Sequence, residues 1–289
     1  MKLGVSTYSL YGATQSGEMT VLDVIDYIAE IGGEHVEIVP LGYTLAGNPE
    51  LAQQIRERAA ARGLDISNYA VGGNFSGKTA DEVAAEVARL KGEVDAAASL
   101  GVSLMRHDVA SSPDISIGHF LEELPVIAAA CAEVADYAAT KGITTSVENH
   151  GYYVQASDRV QALVRAVDRA NYKTTLDIGN FMCADEDPVV AVAKNIGIAS
   201  MVHLKDFYLR PAADRKGEGW FRTSHGNYLR GAIVGDGDIP MREVLRIVKQ
   251  SGFDGYLSIE FEGMEECKRA TRLALANARA IWDSIEAAE

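Results

Sequence analysis

Residues 144–180 read TTSVENHGYYVQASDRVQALVRAVDRANYKTTLDIGN. The stretch opens on a short β-like run at 144–148 and passes through a helical pattern over 157–171. It closes on a second β-like run at 173–178. Strand, helix and strand in so short a span predict a βαβ unit with parallel strands.

The same alternation extends in both directions. Candidate strands fall at 2–6, 35–38, 65–70, 103–107, 144–148, 173–178, 201–205 and 256–260. Candidate helices fall at 20–32, 49–62, 79–100, 118–141, 157–171, 187–197, 240–251 and 263–287. Thr79 and Glu82 form a capping box ahead of the stripe Val83, Val87, Leu90 and Val94. Asp187-Pro188 supplies an N-cap and a proline at the first helical position. Gly101, Gly142 and Gly252 stand where helices need a left-handed cap.

No Pro/Ser-rich linker and no low-complexity run divides the chain. Eight βα units therefore predict a single (β/α)8 TIM barrel over residues 1–289. The competing doubly wound sheet would place a Gly-rich turn after the first strand. Residues 6–12 read STYSLYG and carry no such turn.

A chain of 289 residues, 47% hydrophobic and 24% charged, can bury a sizeable core. Its net charge of −14 argues against nucleic acid as a partner, because phosphate binding needs a basic footprint. Three cysteines without a CxxC pair make neither a disulfide framework nor a zinc knuckle. The N-terminus lacks the apolar stretch of a signal peptide, and no run approaches the roughly 18 apolar residues of a membrane span. A cytoplasmic protein with no membrane partner is expected.

In a barrel of this kind, the C-terminal strand ends carry the chemistry. Four candidate strands end on metal-ligating types: Val147-Glu148-Asn149-His150, Leu176-Asp177-Ile178-Gly179-Asn180, Val202-His203-Leu204-Lys205-Asp206 and Ser258-Ile259-Glu260-Phe261-Glu262. Glu148 precedes Asp177 by 29 residues and Asp177 precedes His203 by 26, each about one βα unit. His203 precedes Glu260 by 57, and the excess is read as a long loop, about 207–238, over the barrel mouth. Four consecutive strands would then aim Glu148, Asp177, His203 and Glu260 at one point. Three carboxylates and one imidazole suit a divalent metal, Mn²⁺ first, then Mg²⁺, Co²⁺ or Zn²⁺. Without a cation such carboxylates would repel one another strongly.

These four motifs, with the Gly-containing turn at 234–239, resemble the xylose-isomerase-like sugar phosphate isomerase/epimerase superfamily. The resemblance spans essentially the whole chain and implies Glu148, Asp177, His203 and Glu260 as metal ligands. It also implies a small-molecule sugar or keto-sugar as partner, and frequent assembly into oligomers. The superfamily holds ketose 3-epimerases, hydroxypyruvate isomerases, inosose and dehydroshikimate dehydratases, enzymes cleaving 3-keto C-glycosides, and endonuclease IV. The endonuclease branch needs many histidines, one of them at the position of Asn180. This chain has only six, which argues against DNA repair.

Other residues carry weaker signals. Spacing alone does not separate Glu260 from Glu262, which share a strand face; the resemblance favours Glu260. His150 is a candidate substrate contact or general base, set against a structural hydrogen bond. His107 is a candidate for the mouth at the end of the fourth strand. Lys205 either polarises a substrate oxygen or pairs with Asp206. Arg222, His225 and Arg230 in the long loop are candidates for a substrate hydroxyl, carboxylate or phosphate. The resemblance implies a substrate-holding arginine shortly after the strand-seven histidine, and Arg210 is the nearest to that place. Cys183 reads as packing, and Tyr8, Tyr11 and Trp220 as apolar surface for a sugar. Two acids beside Gly235 and Gly237 crowd a would-be phosphate, which favours an unphosphorylated substrate.

The expected activity is a metal-dependent sugar isomerase or epimerase that abstracts an α-proton to form an enediolate, with Glu148 and Glu260 on opposite faces. The alternative is a lyase or dehydratase acting on a keto-sugar, keto-inositol or 3-keto-glycoside. The third reading is a non-catalytic sugar-binding barrel.

Overall fold

In the computed structural model, which describes residues 1–214 and 216–286, eight parallel strands close into a barrel. The barrel strands are β1 (Lys2–Ser6), β2 (His35–Ile38), β3 (Asp65–Val71), β4 (Leu104–His107), β5 (Thr144–Glu148), β6 (Tyr172–Asp177), β7 (Ala199–Leu204) and β11 (Tyr256–Ile259). They pair in chain order from β1 to β7, then to β11, which returns to β1. The predicted single (β/α)8 barrel is the observed architecture. Residue 287 of the last predicted helix, Arg215 of the predicted loop and the final residues of the predicted domain lie outside the described residues.

The helices are α1 (Tyr11–Gln15), α2 (Val21–Glu30), α3 (Pro49–Ala61), α4 (Ala80–Leu100), α5 (Ile117–Ala139), α6 (Ser157–Val167), α7 (Asn180–Cys183), α8 (Pro188–Asn195), α9 (Met241–Gln250) and α10 (Cys267–Asp283). Their ends follow local chemistry. Thr79 and Glu82 close a reciprocal capping box on α4, and Gly101 ends that helix at φ +77°. Asp187 accepts from the amides of Val189 and Val190 to start α8. Among the described residues, no helix is long and apolar enough to cross a membrane.

Alternation along the strands separates core from site. Val147, Leu176, Val202 and Leu257 are buried, each contributing on the order of 1.5–3 kcal/mol by leaving water. Their neighbours Glu148, Asp177, His203 and Ser258 project to the other face of the sheet, toward the barrel axis. The register then sets their heights. Asp177 pairs with His203, and Ser258 pairs with His203 from the other side. Glu260 follows one residue beyond the end of β11.

The segment read as a long loop departs from that expectation. It contains a small antiparallel sheet of β8 (Asp206–Arg210), β9 (Phe221–Arg222) and β10 (Tyr228–Ala232). Aromatic side chains give these strands cross-strand partners: Arg230 lies opposite Tyr208 with its guanidinium 4.8 Å from the ring centroid. Only glycine fits at position 231, where a Cβ would lie 1.6 Å from the Glu262 carbonyl oxygen. The sheet thus rests directly on the backbone that follows β11.

The base of the sheet is held by Asp206. Its carboxylate accepts from the backbone amides of Phe207 (2.8 Å), Gly235 (2.9 Å), Gly237 (3.1 Å) and Ile239 (3.3 Å). A Cβ on Gly237 would stand 2.1 Å from Asp206 Oδ1, so the glycine makes room for the carboxylate. Amides that could cradle a phosphate are turned instead onto the chain's own acid.

Candidate active site

Glu148 ends β5, Asp177 ends β6, His203 lies in β7 and Glu260 follows β11. One ligand atom from each lies within 4.8 Å of the other three, and all four residues are buried. His203 Nδ1 is 3.7 Å from Glu148 Oε1, 3.8 Å from Asp177 Oδ2 and 3.6 Å from Glu260 Oε1.

The other imidazole nitrogen is committed elsewhere. His203 Nε2 lies 2.9 Å from Glu37 Oε2 and 3.0 Å from Oε1. Glu37, fully buried in β2, is steadied by Asn68 Nδ2 at 2.8 Å. Glu37 accepts from Nε2, so Nε2 keeps its proton and Nδ1 faces the carboxylates, where its lone pair is open to a cation once the Nδ1 proton leaves. His203 Nδ1 and Asp177 Oδ2 have no hydrogen-bond partner although both are buried. Two buried atoms that make no hydrogen bond, among hard oxygen donors, fit a divalent cation. The Glu37–His203 bond is the support that metal-ligating histidines use.

Two cations compensate the acids. Arg106 Nε donates to Glu148 Oε2 at 2.7 Å, and Nη2 lies 2.5 Å from the same oxygen. Lys205 Nζ lies 2.6 Å from Glu260 Oε2, 3.3 Å from Asp177 Oδ2 and 3.3 Å from Asn180 Oδ1. Asn180 Nδ2 donates to Glu148 Oε1 at 3.0 Å.

The titration behaviour follows from these contacts. Burial opposes charge on Glu148, but Arg106 outweighs it and holds the carboxyl below its ordinary range. Glu260 is likewise lowered against burial, by Lys205 and His203. Asp177 is pushed up to about 7 by burial, with Glu260 and Glu148 adding and Lys205 opposing. Burial disfavours the charged imidazole of His203, yet Glu37, Glu260 and Glu148 raise its pKa. Lys205 is raised against burial by Asp177 and Glu260.

Above the cluster opens a cavity of about 230 Å³, lined by Tyr8, Gly72, Arg106, His150, Lys205 and Glu262 among others. His150 Nδ1 lies 3.4 Å from Asp108 Oδ1, and that contact raises its pKa against burial. Glu262 sits at the rim, 46% exposed, 3.4 Å from Lys205 Nζ and within 3.3 Å of the Tyr8 hydroxyl that donates to it.

Several expected positions fall elsewhere. His107 does not line the mouth. It is fully buried near Phe75 and Tyr172, because Arg106, one residue before it, takes the inward face of β4. Lys205 does not pair with Asp206, which is committed to backbone amides. Arg210 pairs with Asp238 at 2.8 Å, on the surface. His225 is 78% exposed and lies 3.1 Å from Asp185. Arg230 stacks over Tyr208 and Trp220, and Arg222 donates to the Tyr228 hydroxyl. None of these four lines the cavity over the cluster. Cys183 is buried packing, as expected, with its thiol pushed up to about 12 by burial.

Sequence reasoning missed Arg106, Glu37 and Asp108. Arg106 and His107 are adjacent at the end of β4, and the sequence carries no signal for which of them faces inward. A charged residue inside the otherwise apolar run Val36-Glu37-Ile38 was the signal for Glu37.

A probable 3-DHS dehydratase, AsbF of Bacillus anthracis, superimposes with a TM-score of 0.73 at 17% identity, covering 97% of this chain and 98% of the other. A D-psicose 3-epimerase of Clostridium cellulolyticum H10, solved with D-tagatose, gives 0.71 at 16% identity over 98% and 99%. At such identities the likeness is one of fold. In sequence, an inosose dehydratase of Clostridium botulinum (strain Alaska E43 / Type E3) is 26% identical over 148 residues, 49% of this chain and 48% of the relative. The chain thus spans about half the length of the curated relatives it matches. The family profile described as xylose isomerase-like TIM barrel matches residues 25–283, nearly the whole chain. With the closed barrel and the acidic cluster at its strand ends, the chain belongs to the xylose isomerase-like TIM barrel family.

Proposed function

We propose that the chain is a divalent-metal-dependent isomerase or epimerase of a keto-sugar, acting by removal of the proton next to the ketone. The observation that supports this most is the convergence of four donors from four neighbouring strands, two of them with buried atoms that make no hydrogen bond. Glu148, Asp177, His203 and Glu260 would hold the ion, with Mn²⁺ the first choice for an oxygen-rich set carrying one imidazole. When bound, it would supply Lewis acidity at a ketone oxygen and acidify the neighbouring C–H.

The chain's own residues would do the rest. Arg106 and Lys205 keep Glu148 and Glu260 ionised, so both meet the substrate as bases. Removal on one face by one carboxylate and return on the other face describes epimerisation. Lys205, charged and beside Glu260, would steady a developing negative oxygen. His150, with its pKa raised by Asp108, would offer a proton at the cavity wall. A cavity of about 230 Å³ falls below the usual range for drug-sized ligands and suits one sugar ring.

A second reading is a lyase that expels a β-leaving group from the same carbanion. Lys205 and His150 favour it, as proton donors on the cavity, and so does the partial match to inosose dehydratases.

Incubation of the Mn²⁺-loaded protein in D₂O with a panel of ketoses and keto-inositols tests both. Deuterium at an α-carbon without loss of water supports the isomerase or epimerase. Release of water supports the lyase. No exchange on any substrate, or full exchange in a Glu260→Gln variant, overturns the assignment.

A further inference from the structure

The small antiparallel sheet reverses the charge of the chain that carries it. The whole sequence has a net charge of −14. Residues 206–232 instead hold five basic side chains, Arg210, Arg215, Lys216, Arg222 and Arg230, against the acids Asp206, Asp214 and Glu218. One of those acids, Asp206, is buried at the base of the sheet.

Strand pairing decides which side chains share a face. Arg210 lies opposite Tyr228, Tyr228 opposite Arg222, and Arg230 opposite Tyr208. These five therefore project to one side. The other side carries Phe207 and Leu229, both buried, with Phe221 edge-on to Phe207. The Tyr152 hydroxyl, 2.8 Å from the Arg222 carbonyl, ties β9 to the β5–α6 connection.

The cations on the outer face differ in what they bind. Arg210 donates to Asp238 Oδ2 at 2.8 Å and to the Leu209 carbonyl at 2.5 Å. Arg222 donates to the Tyr228 hydroxyl at 2.7 Å and the Gly226 carbonyl at 3.1 Å. Lys216 lies 3.3 Å from Asp214 Oδ2. Among the described residues, Arg230 has neither an ion pair nor a hydrogen bond, and its Nε is shut off from water. Its guanidinium lies over two rings, 4.8 Å from the Tyr208 centroid and 5.4 Å from that of Trp220. Arg210 and Lys216 approach the same indole, at 5.9 and 5.5 Å. The rings fix the plane of the Arg230 fork, and its Nη groups are the part left open. A half-buried cation without an acid is costly. A charge-assisted hydrogen bond to a planar, already oriented fork is of the strong kind.

We propose that the outer face of the small sheet is a binding site for one small oxyanion, a phosphate or a carboxylate, held on the Nη edge of Arg230. Arg210 and Lys216 keep their own acids and add attraction at a distance. A single open fork suits one oxyanionic group rather than a polyanion, which the net charge of the chain repels. The site lies on the opposite side of the sheet from Phe207 and is independent of the acidic cluster and of the reaction proposed there.

Calorimetric titration of the chain, stripped of metal and dialysed, with inorganic phosphate and separately with malonate tests it at pH 7 and constant ionic strength. Saturable binding of at least one is expected, and the tighter of the two names the preferred group. Arg230→Gln should weaken that binding by about tenfold or more. Trp220→Leu keeps every cation but removes the ring that orients Arg230, and should give part of the same loss. Arg222→Gln, whose guanidinium is already bonded to Tyr228 and Gly226, should leave the affinity within about twofold. Saturable binding of neither anion overturns the site, as does full affinity in Arg230→Gln. An equal loss in Arg222→Gln and Arg230→Gln would reduce the effect to net charge and overturn it too.

Discussion

Arg106 and Glu148 form a two-pronged contact at the inner wall of the barrel mouth, with Nε and Nη2 of the guanidinium both on Glu148 Oε2. The carboxylate is almost wholly buried. Removing the cation leaves a buried charge without its partner. Arg106→Met should therefore destabilise the metal-free protein by about 3–5 kcal/mol, measured by urea unfolding. Saturating Mn²⁺ should recover much of the loss, because a bound cation replaces the missing one. Unchanged stability without metal would remove Arg106 from this role.

Glu37 touches the imidazole and not the centre of the cluster. Its work is to fix the tautomer and plane of His203. Glu37→Gln should weaken Mn²⁺ binding by about 10- to 100-fold while the barrel stays folded. Calorimetric titration with circular dichroism on the same samples separates the two effects. Wild-type affinity in the variant would show that His203 is oriented by other means.

The proton on Asp177 sets a pH dependence. Its pKa is pushed up to about 7 in the fold from an ordinary value of 3.8. Between those values the folded, metal-free chain holds a proton that the unfolded chain has released. This group's contribution to stability is thus full below the lower value and is lost as pH rises through about 7. A divalent cation must displace that proton. Mn²⁺ should bind about tenfold more tightly at pH 8 than at pH 6, with proton release detected in buffers of differing ionisation enthalpy. The proton on His203, whose pKa is also raised, acts in the same direction. Affinity independent of pH would contradict the cluster's assignment.

Asp206 gathers four backbone amides. Asp206→Ala would leave several of them unsatisfied at about 1–3 kcal/mol each. A loss of about 3 kcal/mol or more in unfolding free energy is expected, with Asp206→Asn losing less. A variant as stable as the parent would show that the turn at 234–239 holds itself.

Much of this was legible in the chain itself, for a reason particular residues make plain. Parallel strands buried on both faces read as short β-like runs, and four of the eight here carry a metal-ligating residue at or beside their C-terminal end: Glu148, Asp177, His203 and Glu260. Their spacing follows the βα unit, so the meeting point could be named before the fold was seen. The supporting residues obey no such rule. Arg106 and His107 are adjacent, and only the register of β4 decides which one faces inward. Glu37 lies far from its partner in sequence and meets it across the closed barrel. The antiparallel sheet reads as a loop in sequence because its strands are short and its turns polar, and its pairing depends on the surface beneath Gly231.

Asp206 at its base and the Gly231 backbone against Glu262 are two of that small sheet's fastenings, beside the Tyr152 hydroxyl on the Arg222 carbonyl. Neither of the first two involves the side chain of Phe221. The lineage could therefore exchange the faces of this cassette without disturbing the acid cluster below it. Such a division lets descent with modification alter what is recognised while the reacting groups are inherited intact.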